Sequence, residues 1–71
     1  MIQIYEEDFI ELVKQLRPKV IIKSTEYFLG YRASFSFDDY EYKTKCLTCA
    51  IRLEKALSSI KEVNVIDGVV E

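Results

Sequence analysis

At 71 residues the chain has the length of one domain, at the size where a single core is only marginally sufficient. With 49% hydrophobic residues, including five tyrosines and four phenylalanines, it is globular and not disordered. Ten basic against twelve acidic residues give a net charge of −2, which argues against strong nonspecific nucleic-acid binding, and the absence of histidine excludes any Ser/His or Cys/His catalytic pair.

Ile2 and Ile4 alternate with Gln3 and Tyr5 in a short opening strand. No basic start or apolar stretch marks a signal peptide, and no run approaches the ~18 apolar residues of a membrane span. The expected location is therefore the cytoplasm, with reduced cysteines. Glu6, Glu7 and Asp8 put negative charge where a helix N-terminus favours it, and Asp8 with Glu11 approximates a capping box. Phe9, Leu12, Val13 and Leu16 form one stripe, with Ile10 off it, and Pro18 disfavours helix at Arg17. These signals predict a first helix over residues 7–16. Val20-Ile21-Ile22 is a β-branched run suited to a short strand or an extended arm, Ser24 to Leu29 takes no assignment, and Gly30 allows a bulge or bend.

From Tyr31 to Lys45 the period is two on both sides of Asp38-Asp39. Tyr31, Ala33, Phe35 and Phe37, then Tyr40, Tyr42 and Thr44, share one face of a predicted antiparallel hairpin. A two-residue loop sets Phe37 opposite Tyr40 and Phe35 opposite Tyr42. Two amphipathic segments need that aromatic face as their core, which leaves little room for base stacking. Arg32, Ser34, Ser36, Lys43 and Lys45 lie on the other face with Glu41 as its acid. That is an ordinary solvated face, or a modest polyanion surface with Arg32, Lys43 and Lys45 as nucleic-acid contacts.

From Cys46 the period becomes helical: Cys46, Cys49, Ala50, Leu53, Ala56, Leu57, Ile60 and Val63 cluster on one side. Leu47 and Ile51 lie together away from its centre. With Ile10 they are apolar residues off the core stripes, hence candidate partner-binding residues. Val63, Val65, Val69 and Val70 favour a closing strand while Asp67-Gly68 has the look of a turn, so residues 63–70 read as helix or strand. The expected fold of this single domain, 1–71, is α+β: an antiparallel sheet of three to four strands with two helices on one face. The order is β-α-β-β-α, or ferredoxin-like β-α-β-β-α-β if the tail is a strand.

Cys46-Leu47-Thr48-Cys49 is the one chemical motif. On the apolar arc both cysteines read as small core hydrophobes. The alternative is a thiol site at a helix N-terminus that binds a soft metal or cycles as a dithiol. Cys46 to Leu57 also resembles the metal loop and first helix of heavy-metal-associated domains, although there the motif follows the first strand and here it opens the last helix.

Taken end to end, the order resembles the small dimerisation subunit of the KEOPS complex, which supports tRNA threonylcarbamoyladenosine modification. The likeness is carried by Leu16-Arg17-Pro18 closing the first helix, by Tyr40-Glu41-Tyr42-Lys43 in the hairpin, and by Ser58-Ser59-Ile60-Lys61 in the last helix. It departs from that family at Lys19, where an acid is common, and at Lys45-Cys46-Leu47, where the family has an Asp and an Arg. The resemblance implies a non-catalytic assembly module with no cofactor. Its expected partners are a second copy of the chain and a larger protein complex, with tRNA met only indirectly or weakly and no membrane.

Overall fold

The computed structural model describes residues 1–68. Its elements are β1 (Ile2–Gln3), α1 (Glu6–Leu16), β2 (Val20–Glu26), β3 (Arg32–Phe37), β4 (Tyr40–Thr44), α2 (Leu47–Ser58) and β5 (Asn64–Asp67). The α+β class holds, with two helices and one sheet. The sheet itself differs from the expected antiparallel one: it has five strands in the order β1-β4-β3-β2-β5 and is mixed.

The hairpin forms with the register its alternation dictates, Phe37 opposite Tyr40 and Phe35 opposite Tyr42. Asp38 turns the chain with φ of +50°, a conformation that short polar side chains tolerate better than most. β2 runs on through Glu26 and pairs antiparallel with β3, Thr25 opposite Ala33 and Glu26 opposite Arg32. Lys23, Ser24 and Thr25 carry no apolar alternation, so this half of the strand is made by its ladder to β3 and not by local preference.

The tail is a strand, but a parallel one. β5 lies along β2 with Val20 beside Asn64 and Ile22 beside Ile66. At the other edge β1 runs parallel to β4, with Ile2 beside Tyr40. The expected ferredoxin-like order is therefore replaced by β-α-β-β-β-α-β. Parallel strands need a crossover, and each helix supplies one. From β1 to β2 and from β4 to β5 the chain steps across the sheet in the same direction, so both helices lie on one face and touch each other. Val69 and Val70, expected to extend the tail, fall outside the described residues.

α1 starts at Glu6 on an extended Tyr5 that makes no side-chain cap. The capping box expected at Asp8 does not form, because Asp8 already lies in the first turn, where its charge with Glu6 and Glu7 still suits the dipole. The helix ends where Pro18 requires. Arg17 takes a left-handed conformation and its N–H donates to the Val13 carbonyl at 2.8 Å. α2 stops at Ser58, short of the apolar arc read from the sequence, yet Val63 is buried and Ile60 packs against the core from the turns that follow.

The core is one cluster: Phe9 and Val13 from α1, Ala50, Leu53 and Leu57 from α2, and Ile21, Ala33, Phe35 and Phe37 beneath them, closed by Val63. Phe9 meets Phe37 edge-on at 5.3 Å between ring centroids. The aromatic face is thus covered by the helices and is not a stacking platform.

Candidate functional site at the Cys46–Cys49 end of the sheet

β4 leads directly into the cysteine motif. The Cys46 N–H donates to Thr44 Oγ1 at 3.1 Å, which turns the chain out of the sheet. Cys46 is extended (φ −95°, ψ 113°) and caps α2: its Sγ accepts from the Cys49 N–H at 3.1 Å, and its carbonyl accepts from Ala50. Cys46 and Cys49 are joined in a disulfide, with Cα atoms 5.2 Å apart.

Two expectations are corrected here. The cysteines are bridged and not reduced, and they are not core residues, Cys46 being exposed and Cys49 half-buried. A helical projection places Cys46 on the apolar arc only if it is helical, and as an extended cap it is not. The buried stripe of α2 is Ala50, Leu53 and Leu57, with Cys49 at its rim.

A bridge between residues three apart constrains little of the unfolded chain, about 2 kcal/mol on the chain-entropy account. It makes a poor fold staple. The electrostatics are more telling. α1 has three acids in its first turn and α2 has none. The positive end of the α2 dipole, with Lys45 just before it, is left to the sulfurs, and that setting favours a thiolate once the bridge is reduced. Among the described residues no cluster of three or more His, Cys, Asp or Glu is arranged to hold a metal ion. Two sulfurs alone suit a soft monovalent ion such as Cu(I), whereas zinc would require a second copy of the motif.

Leu47 and Ile51 are exposed, while Ile10, grouped with them on sequence grounds, is half-buried and packs against the core. The β2–β3 loop leaves the sheet at the same end as Cys46, since Thr25, Ala33 and Thr44 form one row across the strands. Tyr27 and Tyr31 meet edge-on at its base, Gly30 adopts φ of +105°, and Tyr27, Phe28 and Leu29 are all exposed, Phe28 at 91%. Sequence reasoning passed over this tip. Its signal was three consecutive apolar residues ending at a glycine, with no period to assign them to a buried face.

Arg32, Lys43 and Lys45 are brought together as expected of neighbours on one sheet face. They line a groove of ≈ 420 Å³ with Ser24, Glu26 and Ser34. Glu26 lies across from Arg32, and Glu41 lies 3.9 Å from Lys43, so two of the three cations have an acid beside them. That weakens a polyanion role. Further along this uncovered face Val20, Ile22 and Ile66 are exposed next to one another on the parallel β2–β5 pair.

No helix among the described residues is long and apolar enough to cross a membrane. No protein-family model, curated protein or solved structure matches this chain.

Proposed function

We propose that the chain is a non-catalytic assembly module that associates as a homodimer and presents further apolar surface to a larger protein complex. The role is similar to that of the KEOPS dimerisation subunit in tRNA threonylcarbamoyladenosine modification. The observation that carries the proposal is the apolar outer face of the β2–β5 pair. Parallel strands are normally covered on both sides, and their sequences are apolar on both sides for that reason. Ile21 and Val65 face the helices, while Val20, Ile22 and Ile66 lie on the other face and are exposed among the described residues, with Gly68 close to Ile22. Among the described residues twelve large hydrophobics are exposed, against eight buried in the core beside Ala33 and Ala50, and a core this small favours a partner. Leu47 and Ile51 add a second apolar surface on α2.

Sedimentation equilibrium tests this. The chain should be a dimer at micromolar concentration, and Ile22→Glu should give a folded monomer. A wild-type monomer across the concentration range would remove the proposal. A dimer unaffected by Ile22→Glu would move the interface elsewhere, with Ile51→Glu as the next variant.

A second reading is favoured by the exposed, bridged Cys46–Cys49 pair: a thiol module that exchanges disulfides or, when reduced, binds a soft metal.

A further inference from the structure

We propose that the groove across β2, β3 and β4 on the uncovered sheet face binds a single dianionic phosphate group, free or carried as a monoester. The proposal goes beyond the assembly reading, since none of Val20, Ile22 and Ile66 lines the groove. The strand register builds the concavity. Ser24 stands opposite Ser34, and Ser34 opposite Lys43, so two short hydroxyl side chains form a floor between longer ones. One row on, Glu26 stands opposite Arg32, and Lys45 follows where β4 ends. The hollow measures about 420 Å³, within the range of small-molecule sites and roomier than one phosphate group needs, so a carrier can enter with it.

The charge of the groove runs against that of the chain. The protein carries a net −2, yet the groove gathers Arg32, Lys43 and Lys45 against the single acid Glu26. Two positive charges are left over, the complement of a phosphate dianion. Among the described residues neither Arg32 nor Lys45 makes an ion pair, and Lys43 meets Glu41 only at 3.9 Å with its side chain 60% exposed. Like charges gathered in this way repel, and an anion between them relieves the repulsion. Arg32 brings paired N–H donors that match two phosphate oxygens, and the hydroxyls of Ser24 and Ser34 can donate from below. Glu26 on β2 and Glu41 on β4 stand on either side of the cations. A run of phosphates would have to cross one of these acids, so the groove suits one group and not a polyanion.

The test titrates the full chain near neutral pH with inorganic phosphate and with adenosine monophosphate, following backbone amide shifts by NMR. Each probe should saturate at one per chain with the largest shifts around Arg32, Ser34 and Lys43. Equal affinities would mean that the phosphate alone is recognised, and a tighter adenosine monophosphate that the groove also holds the carrier. Arg32→Gln should weaken adenosine monophosphate binding roughly tenfold. Lys45→Gln, outside the strands, should weaken it about threefold, which keeps the test valid if the β3 variant unfolds, and Glu26→Gln should strengthen it about threefold. The proposal is overturned if neither probe binds, if folded Arg32→Gln and Lys45→Gln bind as the parent does, or if Glu26→Gln fails to strengthen binding. It is also overturned if a single-stranded oligonucleotide binds more tightly than adenosine monophosphate in proportion to its length, because the face would then be a polyanion surface.

Discussion

Lys23 occupies a position on β2 that the core-facing row would give to an apolar side chain, one step beyond the buried Ile21. Its ammonium donates to Glu54 of α2 at 3.0 Å and lies 6.0 Å from the centroid of the Phe35 ring, with the side chain only 13% exposed. Burial works against its charge, but the Glu54 hydrogen bond and Glu54's Coulombic attraction, with smaller pulls from Tyr31 and Asp67, outweigh it and hold its pKa above the ordinary lysine value. A raised folded-state pKa stabilises the fold fully below the unfolded value, near 10.4, and that contribution is lost as pH rises through the folded value. Glu54 is partly exposed, so the pair is screened, and Glu54→Gln should cost about 1 kcal/mol in urea unfolding at pH 7. The gap between variant and parent should close as pH rises past the unfolded lysine value and through the raised folded one. A gap that persists there would mean that Glu54 acts through packing. At the β3–β4 turn, Asp38 holds a positive φ that glycine adopts without strain. Asp38→Gly should raise stability by about 0.5–1 kcal/mol and Asp39→Gly should not, as thermal unfolding of the two variants would report.

At the scale of elements, the legible parts were those with a clean period. The hairpin was read to its register because Phe35, Phe37, Tyr40 and Tyr42 alternate with polar residues on both sides of a two-residue loop. α1 was read to within a residue because Pro18 fixes its end. The second half of β2 was not read, because Lys23, Ser24 and Thr25 hide a strand whose cause is long-range pairing. The direction of β5 was not readable either: Val63, Val65 and the residues around them signal a strand but not the neighbour it chooses. Val63 is the hinge of that choice. It is buried at the end of α2's turns, with the β5 backbone starting at the next residue. Val63→Ala should therefore cost about 2 kcal/mol, well above the effect of truncating the exposed Leu16 to alanine. Equal losses at the two positions would show that the β5 junction is not anchored by the core.

For the molecule as a whole, the two interleaved crossovers decide what is buried and what is offered. Both helices cover one face, so among the described residues no helix covers the other face of the mixed sheet. The sequence showed the polar half of that face through Arg32, Ser34, Lys43 and Lys45. It did not show the apolar half, because Val20-Ile21-Ile22 reads as one compact run until β5 is known to lie beside it in parallel. The cysteine pair was found as a motif and misjudged as core, since a cap residue does not follow the helical period that placed it there. The assembly proposal depends on what covers Val20, Ile22 and Ile66. The most direct measurement is the mass of the native chain beside that of Ile22→Glu by sedimentation equilibrium, with circular dichroism to establish that both are folded. A dimer that becomes a folded monomer on substitution is the predicted result, and a parent chain that is monomeric at every concentration would contradict it.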